Sequence, residues 1–415
     1  MSAFASDNGQ QGRPRVLIIV QNLAVPFDRR VWLECGSLVA AGYDVTVVCP
    51  RDADTTAYQV IDGVQIYTYP PYAPGGSAAG FVAEYAYSFL ATARLALKAR
   101  RRGGFDVVQA CNPPDIFWPL ARLLRWTDGT RFVFDHHDLC PELYESRFVG
   151  GSRLAYQGLL ALERRTFREA DRVVSTNESY REVALRRGGK SPDEVTVVRT
   201  GPDADRLRAG PQDPSLRRGR RHLVAYLGVM GPQDGVDLAL RAAHSIVHEQ
   251  GRTDVSFLLM GAGDCHHDLV ALRGELGLDE YVEMPGRVPD DFVATALSTA
   301  DLGLCPDPKN PLNDLSTMNK TMEYMSFGIP VVAFDLRETR VSAGAAAAYA
   351  SPNDVTDLAC TIVRLLDDPE RRARMARLGR ERVERELEWE HQRGAYLRVY
   401  ADLVAAGRRP VVVGD

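Results

Sequence analysis

The stretch Asn313–Arg340, NDLSTMNKTMEYMSFGIPVVAFDLRETR, reads as a helix that stops on a glycine and feeds a buried strand. Ser316 is a good N-cap, and the helix is expected from Thr317 to about Phe327. Gly328 supplies the stop, and Pro330 opens the apolar run VVAF. Met318, Met322 and Met325 fall at i, i+4 and i+7, so one face is apolar and core-directed. Lys320 and Glu323 are three apart and share another face. That face begins at a helix N-terminus, where free N–H groups and the macrodipole favour an anion. A nucleotide fits this arrangement, its phosphates on Lys320 and the amides, its ribose hydroxyls on Glu323. The same spacing also fits a solvated Lys/Glu pair.

Working outward, KTMEYMSFGIPVVAFD resembles the donor-site segment of retaining glycosyltransferases of family 4, which have the GT-B fold. The segment VLIIVQNLAVPFDRRVWLECGSLVAAGYDVTVVCP, from Val16, is similar to the opening of the same family. The resemblance runs from about Arg15 to Tyr400. It implies that Glu323 is the second glutamate of the family's E-x7-E motif, the one that holds the ribose. The first would stand at position 315, which is Leu315, so any role of that glutamate is missing here unless Asp314 covers part of it.

The chain has 415 residues, more than one ordinary core organises, so two domains of about 200 residues are expected. Hydrophobic residues make up 45% and charged residues 25%, the balance of a soluble globular protein. A net charge of −5 argues against a nucleic-acid partner. No apolar run approaches the roughly 20 residues of a membrane span. Residues 1–14 lack the apolar centre of a signal peptide and read as a flexible tail. Seven cysteines with no C-x-x-C pair read as reduced core thiols of a cytoplasmic protein.

VLIIV (16–20) and VTVVCP (45–50) are short continuous apolar runs, as in strands buried on both faces of a parallel sheet. Between them Asp28 can cap a helix through Trp32, Leu33 and Leu38 to Gly42. This βαβ unit starts a doubly wound domain, and the loop Asn22–Asp28 sits where such sheets bind ligands. Many members of the resembling family carry glycines in this loop. Here it is NLAVPFD, so Arg29 or Arg30 could supply charge in their place, or both could be surface helix residues. Phe81–Arg102 reads as a long helix ending in KARRR; it could touch an anionic membrane surface weakly, or pack on the sheet. RFVFD (131–135) runs into HHDLCPELYE at the mouth of the sheet. The resemblance implies that a histidine after this strand meets the transferred sugar; His137 matches best, then His136, with Asp138 and Glu142 placed to orient an acceptor hydroxyl. A capped turn at a helix start explains the same residues.

GPDADRLRAGPQDPSLRRGRR (201–221) has linker composition, and HLVAYLGVMGPQDG (222–235) opens a second doubly wound unit. The fold class is therefore α/β, two Rossmann-like domains facing each other across a cleft. The first spans residues 15–205 and the second 206–390, and the resemblance implies a C-terminal helix, about 391–406, that crosses back to the first. GAGDCH (261–266) lacks the third glycine of a dinucleotide fingerprint. In the resembling family this turn lies near the nucleotide, and GRVP (286–289) under the base, which makes Arg287 and Val288 base-side candidates. In GVMGPQDG (228–235) the family's phosphate-binding arginine and lysine are replaced by Val229 and Asp234. That shifts the burden to Lys320, the amides near Gly231, and the segment Ser316, Thr317, Met318 and Asn319. Asp52-Ala53-Asp54 and Asp203-Ala204-Asp205 mimic a metal-binding D-x-D without its context; the His244/His248 pair and Cys265-His266-His267 lack further ligands.

The resemblance thus implies a retaining transferase that needs no metal or cofactor, with a nucleoside diphosphate sugar as donor and a hydroxyl of a polysaccharide, lipid-linked glycan or natural product as acceptor. The catalytic candidates are His137, Asp138, Glu142 and Lys320. The missing residues at 315, 229 and 234 motivate a second reading, a catalytically silent partner of another transferase; a sugar-nucleotide epimerase is a third.

Overall fold

β1 (Arg15–Ile19), β2 (Asp44–Pro50), β5 (Val107–Cys111) and β6 (Arg131–His136) are almost entirely buried, because helices cover both faces of the sheet they form. With β3 (Tyr58–Ile61), β4 (Val64–Tyr69), β7 (Arg172–Ser175) and β8 (Val195–Val197) they make an eight-stranded sheet, order β3-β4-β2-β1-β5-β6-β7-β8. All pairs are parallel except β3–β4. A second, six-stranded sheet takes the order β11-β10-β9-β12-β13-β14. Its strands are β9 (His222–Leu227), β10 (Val255–Met260), β11 (Val282–Gly286), β12 (Leu302–Cys305), β13 (Val331–Phe334) and β14 (Ala347–Ala350), all parallel. The computed structural model describes residues 12–52, 55–72, 78–148, 150–202 and 208–407. Most of the expected tail, all of Asp203-Ala204-Asp205 and part of Asp52-Ala53-Asp54 lie outside the described residues.

Each sheet has one apolar core on each face. The core on one face of the first sheet is completed from the far end of the chain: Trp389, Tyr396, Val399, Tyr400 and Leu403 of the helix Trp389–Gly407 pack beside Val16, Ile18, Val45 and Val47. Burying one large side chain stabilises by about 1.5–3 kcal/mol, so five of them hold this helix firmly to the first domain. Where the chain crosses between domains, a Cβ on Gly201 would sit 2.1 Å from the Leu387 carbonyl oxygen, so only glycine lets the two crossings pass.

Local signals placed several boundaries. Asp28 accepts the Val31 amide at 3.1 Å and starts the helix Arg29–Ala40. The helix Ala78–Arg100 ends in cations that serve its own domain, with Arg100 on Asp128 and Arg102 stacked on the Tyr58 ring. His244 and His248 each bond a backbone carbonyl, of Leu276 and Gly277, and their rings meet at a tilt, centroids 5.0 Å apart. All seven cysteines are free, and no helix among the described residues is long and apolar enough to cross a membrane.

Candidate active site

The C-terminal ends of both sheets face one cleft, as parallel α/β topology requires for ligand sites. Side chains meet across it. Arg29 ion-pairs with Glu323 and lies 3.8 Å from Asp290. Arg147 reaches Asp264 at 3.3 Å, and Ser179 Oγ donates to Glu338 Oε1 at 2.6 Å.

On the second domain, the segment after β12 departs from its sequence reading. The helix begins at Asn319, two residues later than expected, and ends at Ser326, one earlier, with Met318 at the cap position. Ser316 caps nothing: its hydroxyl bonds the Leu312 carbonyl at 2.7 Å and meets the Tyr180 hydroxyl of the first domain at 2.8 Å. Asn177 adds bonds to the Leu315 carbonyl and the Thr317 hydroxyl, both 2.9 Å. The other domain has therefore captured the capping group. Among the described residues no acceptor meets the amides of Thr317, Met318, Asn319 and Lys320, so this turn still presents a row of donors. Gly328 ends the turn at φ 67° as expected, and Met322 and Met325 are fully buried while Met318 is only partly so.

Lys320 is nearly buried, its Nζ 2.6 Å from Asp307 Oδ1 and 5.2 Å from the Tyr226 ring centroid. Burial opposes its charge, but Asp307, Tyr226 and Asp234 outweigh it and hold the ammonium well above its ordinary pKa. Asp234 is pushed up to about 6 by burial and by Asp307, against Lys320 and the Gly231 amide. Its carboxylate accepts that amide at 2.8 Å, so the Gly231 N–H expected to meet a phosphate is already taken. Asp314 cannot stand in for a glutamate at position 315, because it accepts the Arg337 amide at 2.9 Å and lies 3.3 Å from Lys309 Nζ. Leu315 itself packs with Leu312 onto Leu139, Leu143, Tyr180 and Val183 of the first domain. Arg287 stacks over the Phe27 ring at 3.9 Å and lies 3.8 Å from Asp52, at the border of the two domains; Val288 packs against the core beneath.

On the first domain, Asn112 fixes the loop after β6. Its Oδ1 accepts the His137 and Asp138 amides at 2.6 and 3.0 Å, and its Nδ2 donates to the Asp138 carbonyl at 2.7 Å. His137 Nε2 lies 2.6 Å from Asp135 Oδ2 and accepts from Arg30 Nε at 3.0 Å, so the carboxylate and the guanidinium call for opposite tautomers of this ring. Arg30 lies beside both, 3.0 Å from His137 Nε2 and 2.9 Å from Asp135 Oδ1. Asp138 is pushed up to about 6 by burial, with His137 and Arg147 opposing and Asp234 of the other domain adding to the rise. His136, the second histidine candidate, is buried among Phe134, Phe167 and Tyr180, and burial drives it down to about 3, so it is neutral core. Glu142 is held in a two-pronged ion pair by Arg187 at 2.5 and 3.2 Å, away from the role of orienting an acceptor.

Cys111, Asp135 and His137 come close enough to ligate a metal. The Arg30 guanidinium already fills the cation's place on Asp135, so the group does not fit a metal ion. The sequence reading missed Asn112, Asp135 and Asp307. Asn112 directly follows a buried strand, Asp135 is the penultimate residue of another and Asp307 lies two residues past a third, all at the cleft side, the one signal that could have found them.

Two family models match successive stretches of the chain. Residues 28–201 match a family model described as "Glycosyl transferase 4-like domain", and residues 221–368 one described as "Glycosyl transferases group 1". The chain is 26% identical over 327 residues to the 2-deoxystreptamine glucosyltransferase of Streptomyces kanamyceticus, covering 75% of this chain and 81% of that protein. A shorter match, 30% identical over 158 residues, is to the alpha-D-kanosaminyltransferase of the same organism, of which it spans 39%. In fold the chain is similar to sucrose-phosphate synthase from Thermosynechococcus elongatus, with TM-score 0.77, 17% identity, and coverage of 95% of this chain and 100% of that one. It is also similar to Anabaena HepE in complex with UDP-glucose, with TM-score 0.71, 16% identity, and coverage of 94% and 99%.

Proposed function

This chain is a glycosyltransferase of the GT-B fold, resembling family 4, and from that premise we propose that it moves a sugar, with retention of anomeric configuration and without a metal ion, from a nucleoside diphosphate sugar to a hydroxyl acceptor. One observation carries the reading: four unpartnered amides, Thr317 to Lys320, lie within a turn of the Lys320 ammonium and the Glu323 carboxylate. Amides and ammonium suit the diphosphate, and a carboxylate suits the paired hydroxyls of ribose. Arg287 lies on the base side.

Across the cleft, His137 and Asp138 are the groups placed to meet the transferred sugar and the acceptor. Asp138 senses the charge of Asp234, which in turn senses Lys320, so the two half-sites are electrostatic neighbours. Retention without a protein nucleophile follows if the acceptor attacks the donor's own face while the leaving phosphate takes the acceptor's proton. The amides, Lys320 and the helix N-terminus then stabilise the charge that develops on that phosphate. Leu315, packed into an apolar cluster, takes no part in the chemistry. Free cysteines throughout fit a reducing, cytoplasmic setting. A weak contact with an anionic membrane surface would use the exposed Val82, Leu90 and Leu97, and co-sedimentation with vesicles tests it. The silent partner and the epimerase are not favoured, since the relatives compared are named as transferases.

A panel of nucleotide sugars, scored for thermal stabilisation and slow hydrolysis, tests the reading. At least one should raise the melting temperature according to RT ln(1 + [L]/Kd). If none shifts the transition and none is cleaved, the proposal is lost. Chelators should leave turnover unchanged, and NMR of the product should show the donor's anomeric configuration kept.

A further inference from the structure

The phosphate end of the cleft is poorer in positive charge than its ligand demands. Lys320 is matched by Asp307 at 2.6 Å, and Asp234 adds a second carboxylate beside it. Val229 contributes no charge. One cation between two carboxylates does not attract a diphosphate, which brings two further negative charges. Another cation is needed, and few arginines near the cleft are available. Arg30 is buried and divided among Asp135, Glu34, the Val198 carbonyl and the Thr200 hydroxyl. Arg147 is engaged with Asp264, and Arg287 with Phe27 and Asp52.

Arg29 differs in one respect: besides a longer, 3.8 Å contact with the half-exposed Asp290, its partner is Glu323, itself a group assigned to the ligand. Its side chain remains one-third exposed, and it stands at the first turn of the helix Arg29–Ala40, beside the loop that leaves β1. Glu323 is one helical turn from Lys320 and from the unpartnered amides, so the guanidinium already lies at the edge of the phosphate turn.

Resting on the donor site described above, we propose that Arg29 is a donor-binding residue delivered by the first domain. As the ribose hydroxyls take the Glu323 carboxylate, the guanidinium passes from Glu323 to the diphosphate. The exchange is favourable in both halves. A part-exposed ion pair is worth little and is easily given up. Arginine on phosphate forms parallel charge-assisted bonds, which are among the stronger polar contacts. Because Arg29 belongs to the first domain and Lys320 to the second, a diphosphate held by both ties the domains together, and donor binding is coupled to the closed cleft.

The test is calorimetric titration of the wild-type chain with UDP, GDP, ADP and dTDP, then of Arg29→Ala and Arg29→Lys with whichever diphosphate binds best and with its parent nucleoside. Arg29→Ala should weaken the diphosphate by about tenfold to a hundredfold. Nucleoside affinity should hold or rise, since Arg29 no longer competes with the ribose for Glu323; this also shows that the variant is folded, and Arg29→Lys should recover part of the loss. A variant that binds the diphosphate as tightly as wild type overturns the assignment, as does one that loses nucleoside and diphosphate in equal proportion, because Arg29 would then merely hold Glu323 in place. A wild type that binds none of the four removes the donor site itself and this inference with it, which is a different result from an unaffected variant.

Discussion

Lys320 Nζ and Asp307 Oδ1 lie 2.6 Å apart in the second domain, and both side chains are almost fully buried. The pair sets the ammonium in one position beneath the unpartnered amides, at the cost of cancelling most of its field. Asp307 keeps its other oxygen, Oδ2, without a hydrogen-bond partner among the described residues. A buried pair of this kind is positioned rather than strongly stabilising, and its members cannot be removed singly without penalty.

Lys320→Ala should therefore do two things. It strands a buried carboxylate, at a cost of about 3–5 kcal/mol, and it removes the phosphate cation. Adding Asp307→Asn should restore much of the melting temperature while transfer stays low. Wild-type turnover in that double variant would exclude Lys320 from the site.

Glu323→Ala is the cleaner probe of the ribose contact. Its partner Arg29 is part-exposed and can turn to solvent, so the fold should persist. Loss of a charge-assisted contact predicts transfer reduced about tenfold or more, measured as kcat/KM for the donor. Unchanged kcat/KM would remove the assignment.

Asp234 gives the site a pH dependence with a definite sign. Burial and Asp307 lift its carboxyl to about 6, so it is mostly ionised at neutral pH and neutral below that value. The groups facing it are Lys320, Asp307, Arg147, the Gly231 amide and, across the cleft, Asp138, which is itself lifted to about 6. As pH falls through about 6, a negative charge facing the diphosphate disappears, and affinity for a nucleotide sugar, whose own diphosphate does not titrate there, should rise. Asp234→Asn should bind more tightly at pH 7.5 and flatten the profile. A flat profile in the wild type would contradict this account.

Leu315→Glu should not recover a family-like site. The side chain would enter the cluster of Leu139, Leu312 and Tyr180, where an unpaired carboxylate costs several kcal/mol. The expected result is a lowered melting temperature with no gain in transfer. Faster transfer at unchanged stability would show that position 315 faces the sugar after all.

Local chemistry made much of this legible in the sequence. The apolar runs of β1, β2, β9 and β13 read as buried parallel strands because short continuous apolar stretches have few other uses. Asp28 and Gly328 marked helix ends because capping is settled within a few residues. Ser316 had the same credentials and failed, because Tyr180 holds its hydroxyl. Glu142, Asp314 and Gly231 looked free to meet a ligand; Arg187, Arg337 and Asp234 hold them.

The sequence by itself determined two doubly wound domains and the cleft between their strand ends, and it singled out the segment proposed to hold a nucleotide, since all three follow from periodicity, chain order and residue type. Only the tertiary structure decided which polar groups remain open to a ligand. It separated Arg29 from Arg30, neighbours in sequence: one is buried on Asp135, the other reaches Glu323 in the opposite domain. The physical reason is that a polar side chain's role depends on which partner claims it first, and most of those partners stand tens to hundreds of residues away along the chain.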